Sequence, residues 1–119
     1  MKVFNINPQP KPRMVKSDAW AGRKCVAEYW RYKDELNLQR KGFEITNGMD
    51  YMFIMPMPKS WSNKKKLEMN CKPHQQKPDL DNLIKALWDC LLVDDSIIWH
   101  IKEAKKIWGN EGKILIEPY

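Results

Sequence analysis

The chain has 119 residues and a mass of 14.2 kDa, which predicts a single domain over residues 1–119 with one hydrophobic core. Hydrophobic residues make up 43% and charged residues 30%, so the composition excludes a disordered tail and a membrane protein. The chain has no apolar run of bilayer length and no signal-like apolar stretch near its N-terminus. Because it has only three cysteines, we expect a reduced, cytoplasmic protein without a disulfide framework.

The net charge of +6 is distributed unevenly along the chain. Residues 1–24 and residues 59–77 each carry six basic side chains and one acidic one, whereas residues 78–119 carry five basic and eight acidic ones. Basic segments favour polyanionic partners such as nucleic acids, although a solvated surface has the same composition. A DNA-binding surface should exclude carboxylates unless it uses them. The acidic cluster beside a basic segment therefore indicates that residues 78–119 hold the functional groups.

The first half of the chain predicts a strand, a long helix and a second strand. Residues 2–7 alternate apolar and polar side chains, and a loop with three prolines follows. Ser17 or Asp18 can cap a helix that runs to about Arg40 and stops at Gly42. Residues 50–57 predict a buried strand, ended by two prolines. The apolar positions of the helix, expected in a core or dimer interface rather than stacked on bases, are Trp20, Val26, Tyr29, Trp30, Tyr32 and Leu36.

The second half predicts two further helices and two strands. Residues 60–76 are polar and basic, which is typical of a short helix or a loop. Residues 79–92 give the clearest helix, because apolar residues recur there at helical spacing. Residues 96–107 and 113–117 predict strands, and residues 109–112 suit a hairpin between them. The order β-α-β-(α)-α-β-β predicts an α/β (α+β) fold with two main helices on a small mixed β-sheet.

The segment KPDLDNLIK, residues 77–85, is the most informative in the chain. Pro78 disfavours helix before it, and Asp79 is a candidate N-cap for the helix that follows. Asp81 and Lys85 are spaced i, i+4 and share a helix face, opposite the leucine stripe. A helix cap and an ordinary surface ion pair would use the same residues, so the segment alone leaves both interpretations open.

A second acidic pair, Asp94-Asp95, stands between this helix and the next strand. Acidic doublets in loops commonly form turns. However, Mg²⁺ prefers hard oxygen ligands, and two or three carboxylates on a rigid frame are enough to hold it. A metal held in this way can activate water and stabilise the leaving oxygen in phosphodiester cleavage, and a lysine can offset phosphate charge. This hypothesis requires Asp79, Asp81 and Asp95 to converge within metal-bridging distance.

The motif DLDNLIK at residues 79–85, followed by DDSI at residues 94–97, resembles the RusA family of Holliday junction resolvases. The match is strong over about residues 77–101, and the proline-and-arginine opening from Pro8 is similar to that of phage and prophage members. The resemblance implies a small homodimer that needs Mg²⁺, with Mn²⁺ as a substitute, and that resolves four-way DNA junctions by paired symmetric nicks in recombination and repair. It implies catalytic roles for Asp79, Asp81, Asp95 and Lys85, with the three aspartates holding metal and Asp94 as a further candidate ligand.

This chain departs from the family pattern in the residues that precede the motif. The best-known member has an arginine run there, whereas this chain has Gln75-Gln76-Lys77-Pro78 and carries its lysines earlier. The link from the helix to the acidic pair, residues 91–93, is also short. The candidate phosphate contacts form an electrostatic footprint as a group. They are Arg13, Lys16, Arg23, Lys24, Lys64, Lys65, Lys66 and Lys77.

Two other functions compete with a resolvase. The first is a non-catalytic basic module that binds junctions or other DNA, in which the aspartates only cap a helix. The second is a metal-dependent nuclease that acts on other branched DNA, on ends or on RNA. A zinc site or a Cys–His nucleophile is disfavoured, because Cys71 and His74 have no second tight pair beside them. The lack of a glycine-rich phosphate loop disfavours a nucleotide cofactor.

Overall fold

A computed structural model describes residues 1–12 and 24–118 of the chain. The elements are β1 (Lys2–Phe4), α1 (Lys24–Arg40), β2 (Met49–Pro56), α2 (Asn63–Met69), α3 (Leu80–Leu91), a 3₁₀ turn (Asp95–Ile97), β3 (Ile101–Gly109) and β4 (Lys113–Glu117). This confirms the predicted order and the α+β class. The predicted start of the first helix, with Ser17, Asp18 and Trp20, lies outside the described residues. Gly42 follows α1 with a φ of +82°, as expected for a helix stop.

The four strands form one mixed sheet in the order β1-β4-β2-β3. β4 runs antiparallel to both β1 and β2, whereas β2 and β3 are parallel. Parallel neighbours need a long crossover connection, and here that connection contains α2 and α3. The helix that carries the DLDN motif is therefore part of the crossover from the central strand β2 to the edge strand β3.

The predicted hairpin between β3 and β4 is wrong, because β2 lies between these two strands in the sheet. Residues 110–112 carry the chain across the end of β2, where the Met57 amide donates to the Gly109 carbonyl at 2.9 Å. The crossing is tight: a Cβ on Gly112 would lie 2.6 Å from Asn7 Cα. Glycine is needed there because the two backbones approach closely. The glycine-containing segment 109–112 thus correctly predicts that the chain reverses direction between β3 and β4. It does not predict that β2 lies between these two strands.

The strand predicted to begin at residue 96 begins instead at Ile101. Asp94 Oδ1 accepts a hydrogen bond from the Ser96 amide at 3.0 Å, which holds residues 95–97 in a 3₁₀ turn. Beyond this turn, the Asn47 side chain accepts from the amides of Trp99 (2.8 Å) and His100 (3.2 Å). The Asn47 side chain thus makes the hydrogen bonds that a neighbouring strand would otherwise make to residues 99 and 100. The strand therefore begins only at Ile101.

The core lies between one face of the sheet and helices α1 and α3. Alternate residues of β2 are buried, as a strand covered on one face requires. The predicted apolar stripes of both helices are largely buried, but Trp30 is 51% exposed and does not belong to the core. Trp88 packs within the chain and donates from Nε1 to the Tyr51 hydroxyl at 3.3 Å. The largest fully buried side chains are Tyr29, Tyr32, Tyr51, Phe4, Phe53, Leu36, Leu83, Leu87, Ile114 and Ile116.

Among residues 1–12 and 24–118, the structure has no helix with both the length and the apolar character of a membrane span.

Candidate active site

Asp79 occupies the N-cap position of α3, with φ −68° and ψ 149°, but its carboxylate makes no capping hydrogen bond. The backbone carbonyl of Asp79 accepts the first helical bond, from the Leu83 amide at 3.1 Å. A capping aspartate would normally accept from an amide of the first turn. Because this exposed carboxylate is not used in that way, helix capping alone does not account for the residue.

Asp81 and Lys85 lie one turn apart on the exposed face of α3. Leu83 and Leu87, on the opposite face, are completely buried in the core. The predicted division of this helix into a charged face and an apolar stripe is therefore confirmed. The buried stripe fixes the rotation of the helix about its axis, and so it holds the charged face in one orientation toward solvent.

The Asp94-Asp95 pair follows α3 in the 3₁₀ turn, and its two members differ in their surroundings. The Asp94 carboxylate accepts from the Ser96 amide, and that hydrogen bond lowers the pKa of Asp94. Asp95 is exposed and contributes its backbone carbonyl to the turn, where it accepts from the Ile98 amide at 3.1 Å. Asp94 thus has a local role in forming the turn, and Asp95 is the member whose carboxylate lies outside that turn's hydrogen bonds.

The expected convergence of three carboxylates is not present in the single chain. Within residues 1–12 and 24–118, no group of three His, Cys, Asp or Glu side chains lies close enough to hold a metal ion. Asp79 and Asp81 are close in sequence at one helix end, and Asp95 lies beyond the opposite end of the same helix. The donor chemistry suits Mg²⁺, which accepts one or two carboxylates together with water and substrate phosphate.

The approach to α3 is held by a lysine that the sequence analysis missed. Lys106 of β3 donates from Nζ to the Pro78 carbonyl at 2.6 Å and also to the Gln76 carbonyl. Lys105 and Lys106 are consecutive in a strand, so their side chains point to opposite faces. In a strand with one covered face, one of two adjacent lysines points toward the cover, but the sequence alone does not tell which of the two it is.

Residues 71–74 extend the sheet along the outer edge of β3. The Cys71 amide donates to the Trp108 carbonyl at 2.9 Å, and the His74 amide donates to the Lys106 carbonyl at 3.1 Å. The His74 ring packs on Trp108 with 4.2 Å between centroids, and Trp61 packs on the same ring at 4.8 Å. This aromatic cluster fastens the basic segment that contains α2 to the sheet, beside the approach to α3.

His74 is buried, and its Nδ1 atom has no hydrogen-bond partner among the described residues. Burial, with a smaller contribution from the Lys106 charge, lowers the pKa of His74 below its ordinary value of 6.5. Between the lowered and the ordinary pKa the unfolded chain binds a proton that the folded chain does not. The stability due to neutral His74 is therefore complete above about pH 6.5 and is lost as the pH falls below it.

We expect the melting temperature of the wild type to fall more between pH 7.5 and pH 5.5 than that of His74→Phe. Phenylalanine preserves the packing on Trp108 but has no group that titrates. Circular dichroism melts at the two pH values measure the difference, with the exposed His100→Phe as the matched control. Equal losses in the wild type and in His74→Phe would show that protonation of His74 does not limit stability.

A second network connects the N-terminal segment to α3 at its far end. Asp89 accepts from the Tyr29 hydroxyl at 2.5 Å and pairs with Lys11 Nζ at 3.2 Å. Burial acts to raise the pKa of Asp89, but the hydrogen bonds from Tyr29 and Lys11 outweigh it, so this pKa is lowered. Burial, followed by the bond to Asp89, raises the pKa of Tyr29. The network ties α1, α3 and residue 11 together.

The predicted phosphate contacts do not all lie in one described region. Arg13, Lys16 and Arg23 fall outside the described residues. Lys24 begins α1 and lies 3.9 Å from Glu28, whereas Lys77 is exposed just before Pro78. Lys64, Lys65 and Lys66 are on α2, and Lys65 Nζ stands 4.3 Å from the centre of the Trp61 ring. The lysines of α2 and Lys77 thus belong to the basic segment that leads to α3.

Comparison with known proteins agrees with this fold and these motif positions. The family model described as Endodeoxyribonuclease RusA matches residues 4–117, so the chain belongs to the RusA endodeoxyribonuclease family. A relative from Aquifex aeolicus (strain VF5), described as crossover junction endodeoxyribonuclease RusA, is 37% identical over 54 residues. This alignment covers 40% of the chain and 43% of the relative, which is less than half of either protein.

Proposed function

We propose that this protein is a Holliday junction resolvase, a structure-selective endodeoxyribonuclease that resolves four-way DNA junctions by paired symmetric nicks. Its membership of the RusA family supports an endodeoxyribonuclease. The observation that carries the proposal is the exposed Asp79 carboxylate, which the helix it precedes does not use as a cap. Together with Asp81 it places two hard oxygen ligands at one end of a helix whose other face is buried.

In this proposal Asp79 and Asp81, at one end of α3, bind Mg²⁺, or Mn²⁺ in its place. Asp95, which lies beyond the other end of α3 in the single chain, would join them as the third carboxylate only in the assembled, DNA-bound protein. The bound metal would activate a water for attack and stabilise the leaving oxygen of the phosphodiester. Lys85, one turn beyond Asp81 on the same exposed face, offsets negative charge on the scissile phosphate. Asp94 shapes the turn that carries Asp95 and is not needed as a ligand.

The symmetry of the substrate supports a homodimer. A four-way junction is two-fold symmetric, and paired nicks require two active sites that face two strands. One chain carries one DLDN motif and one Asp-Asp pair, so a second copy supplies the second site. We also propose a cytoplasmic setting and a phage or prophage role, in keeping with the proline-and-arginine opening of the chain.

DNA contact is proposed along the basic segment before α3 and at the N-terminus, through the lysines and arginines named above. An exposed aromatic side chain, Trp99, supports a further contact beside Asp95. Trp99 is 82% exposed and stacks on His100 at 5.3 Å, on a backbone that Asn47 holds by hydrogen bonds. Trp99 is four positions after Asp95 in the chain, so their Cα atoms are at most about 14 Å apart. Trp99 is thus within a few nucleotides of a phosphate bound at Asp95.

We expect Trp99→Ala to weaken junction binding by about 5–150-fold, because stacking of one base on an aromatic ring contributes about 1–3 kcal/mol. Trp99→Phe keeps an aromatic face and should retain most of the affinity. Fluorescence anisotropy with a labelled junction in Ca²⁺ measures both variants. Unchanged affinity of Trp99→Ala would exclude the contact, and dissociation of its dimer in sedimentation would assign the side chain to the subunit interface instead.

A supercoiled plasmid with an extruded cruciform tests the proposed function. Two coordinated nicks across the junction convert the plasmid to a linear form, whereas single nicks give an open circle. We expect linear product in Mg²⁺ and in Mn²⁺, none in EDTA, and none from a plasmid without the inverted repeat. Accumulation of open circles alone would contradict paired resolution, and binding without any cutting would identify a non-catalytic junction-binding module.

A further inference from the structure

The geometry points to Lys106 as a positioning residue that holds the start of α3, and with it Asp79, in place for metal binding. The inference rests on the proposed function, since it concerns the same carboxylates. It adds a residue that lies on β3, outside both sequence motifs. Lys106 does not touch the reacting atoms; it acts through the backbone of residues 76–78.

Lys106 lies on the covered face of β3, in line with Ala104 and Trp108, both of which pack in the core region. Its ammonium group is therefore directed into the fold, while the neighbouring Lys105 extends into solvent near Glu103, at 3.8 Å. In the described part of the chain, Lys106 forms no ion pair with a carboxylate. A partly buried ammonium needs acceptors to offset its lost hydration, and the carbonyls of Gln76 and Pro78 supply them.

The bond to Pro78 bears directly on Asp79, because the two residues share a peptide unit. A peptide unit is planar, so the carbonyl oxygen of Pro78 and the Cα of Asp79 belong to one rigid group. Lys106 Nζ lies 2.6 Å from that oxygen. Fixing this oxygen limits the rotation of the whole peptide unit. It therefore restricts the position of the Asp79 Cα, from which the side chain extends.

The backbone hydrogen bonds of the fold do not include residues 75–78 among the described residues. Residues 71–74 bond to the edge of β3, and the next helical bond begins at the Asp79 carbonyl. Among the described residues, no backbone–backbone hydrogen bond is made by residues 75–78. Pro78 also lacks an amide hydrogen with which to make one. Lys106 therefore supplies the hydrogen bonds that bridge the interval between the strand edge and the helix that carries the carboxylates.

Lys106→Met removes the donors and keeps most of the side chain's apolar length. We expect hydrogen exchange to rise in peptides that cover residues 75–82 and to stay unchanged over β2 and β4. The affinity for Mn²⁺ without DNA, followed by electron paramagnetic resonance, should fall by about 10–100-fold, as is typical when a residue that orients a metal ligand is lost. Single-turnover cleavage in limiting Mg²⁺ should fall similarly and recover partly in excess Mg²⁺, while junction affinity in Ca²⁺ stays within about threefold.

Two variants serve as controls. Lys105→Met removes a neighbouring positive charge from the opposite face and should behave as the wild type in every assay. Lys106→Arg can still donate to two carbonyls and should restore most of the Mn²⁺ affinity. If Lys106→Met does not fold, Lys106→Gln is measured in its place. Its amide is polar but uncharged and one atom nearer the backbone than Nζ, so we expect the same losses to a smaller degree.

The assays separate this inference from the proposed function. Wild-type exchange and wild-type Mn²⁺ affinity in Lys106→Met would overturn the positioning role, as would failure of both Lys106→Met and Lys106→Gln to fold. If the wild type cuts no junction but the exchange and Mn²⁺ results hold, the proposed function fails and the positioning role stands. If cleavage activity fell only in proportion to the loss of melting temperature, and the Mg²⁺ dependence did not change, Lys106 would have a role in overall stability and none in positioning Asp79.

Discussion

Asp81→Asn is expected to lower junction cleavage by more than about 100-fold. Loss of a residue that only orients a metal ligand already costs about 10–100-fold, so loss of a ligand should cost more. Asparagine has nearly the shape of aspartate but carries no negative charge for the metal. Asp81 is exposed in the first turn of α3, so the substitution leaves the core untouched. The measurement is single-turnover cleavage of a labelled junction at saturating enzyme.

Binding must be measured beside cleavage, because removal of one negative charge also favours DNA association. Asp34→Asn is the matched control: it removes one exposed carboxylate from α1, far from both motifs in sequence. We expect both variants to bind the junction in Ca²⁺ at least as tightly as the wild type. Cleavage by Asp81→Asn at the rate of Asp34→Asn would remove Asp81 from the site.

Leu83→Ala is expected to destabilise the protein by about 2–5 kcal/mol, because it leaves a cavity beneath α3. Leu83 is completely buried and stands between Asp81 and Lys85 in the sequence. For a domain of this size the loss corresponds to a fall of at least about 6 °C in melting temperature. Calorimetry or circular dichroism measures it directly.

Leu38→Ala provides the comparison for this substitution, since Leu38 has the same side chain but is 72% exposed on α1. Its effect should stay within about 0.5 kcal/mol. If the two leucine variants melted at the same temperature, the packing of α3 on the core would not be as described. Activity that returns when Leu83→Ala is assayed well below its melting temperature would show that the cavity affects folding more than chemistry.

Local sequence signals predict the elements that carry the proposed site. The leucine spacing of α3 identified its buried face, and the same spacing placed Asp81 and Lys85 on the exposed one. Pro78 and Asp79 located the helix start to within one residue. These predictions succeeded because a helix period and a helix boundary depend on neighbours within one or two turns.

The failures concern contacts between residues distant in sequence. The position of β2 between β3 and β4 depends on the pairing of all four strands, and the sequence of residues 109–112 does not indicate it. The turn at Asp94 displaced the start of β3 because a remote side chain, Asn47, bonds to the backbone that follows. Lys106 acts on a segment nearly thirty residues earlier, so only the assembled fold shows its role.

The spacing of the acidic residues and the family resemblance predict that Asp79, Asp81 and Asp95 converge. The single chain does not bring three such groups together within the described residues. Asp79 and Asp81 lie at the start of α3 and Asp95 lies beyond its end, so the length of the helix separates them in the single chain. The position of Asp95 relative to the other two in the DNA-bound protein stays a prediction, for which Asp95→Asn with a junction-binding control is the corresponding variant.

We propose that this chain cuts four-way junctions by metal-dependent hydrolysis. The most direct measurement is cleavage of a synthetic junction labelled in turn on each of its four strands, with linear duplex of the same sequence beside it. We expect nicks at symmetry-related positions in one pair of strands, in Mg²⁺ but not in EDTA, with the duplex left intact. Tight binding of the junction with no cleavage in Mg²⁺ or Mn²⁺, or equal cleavage of the duplex, would contradict it.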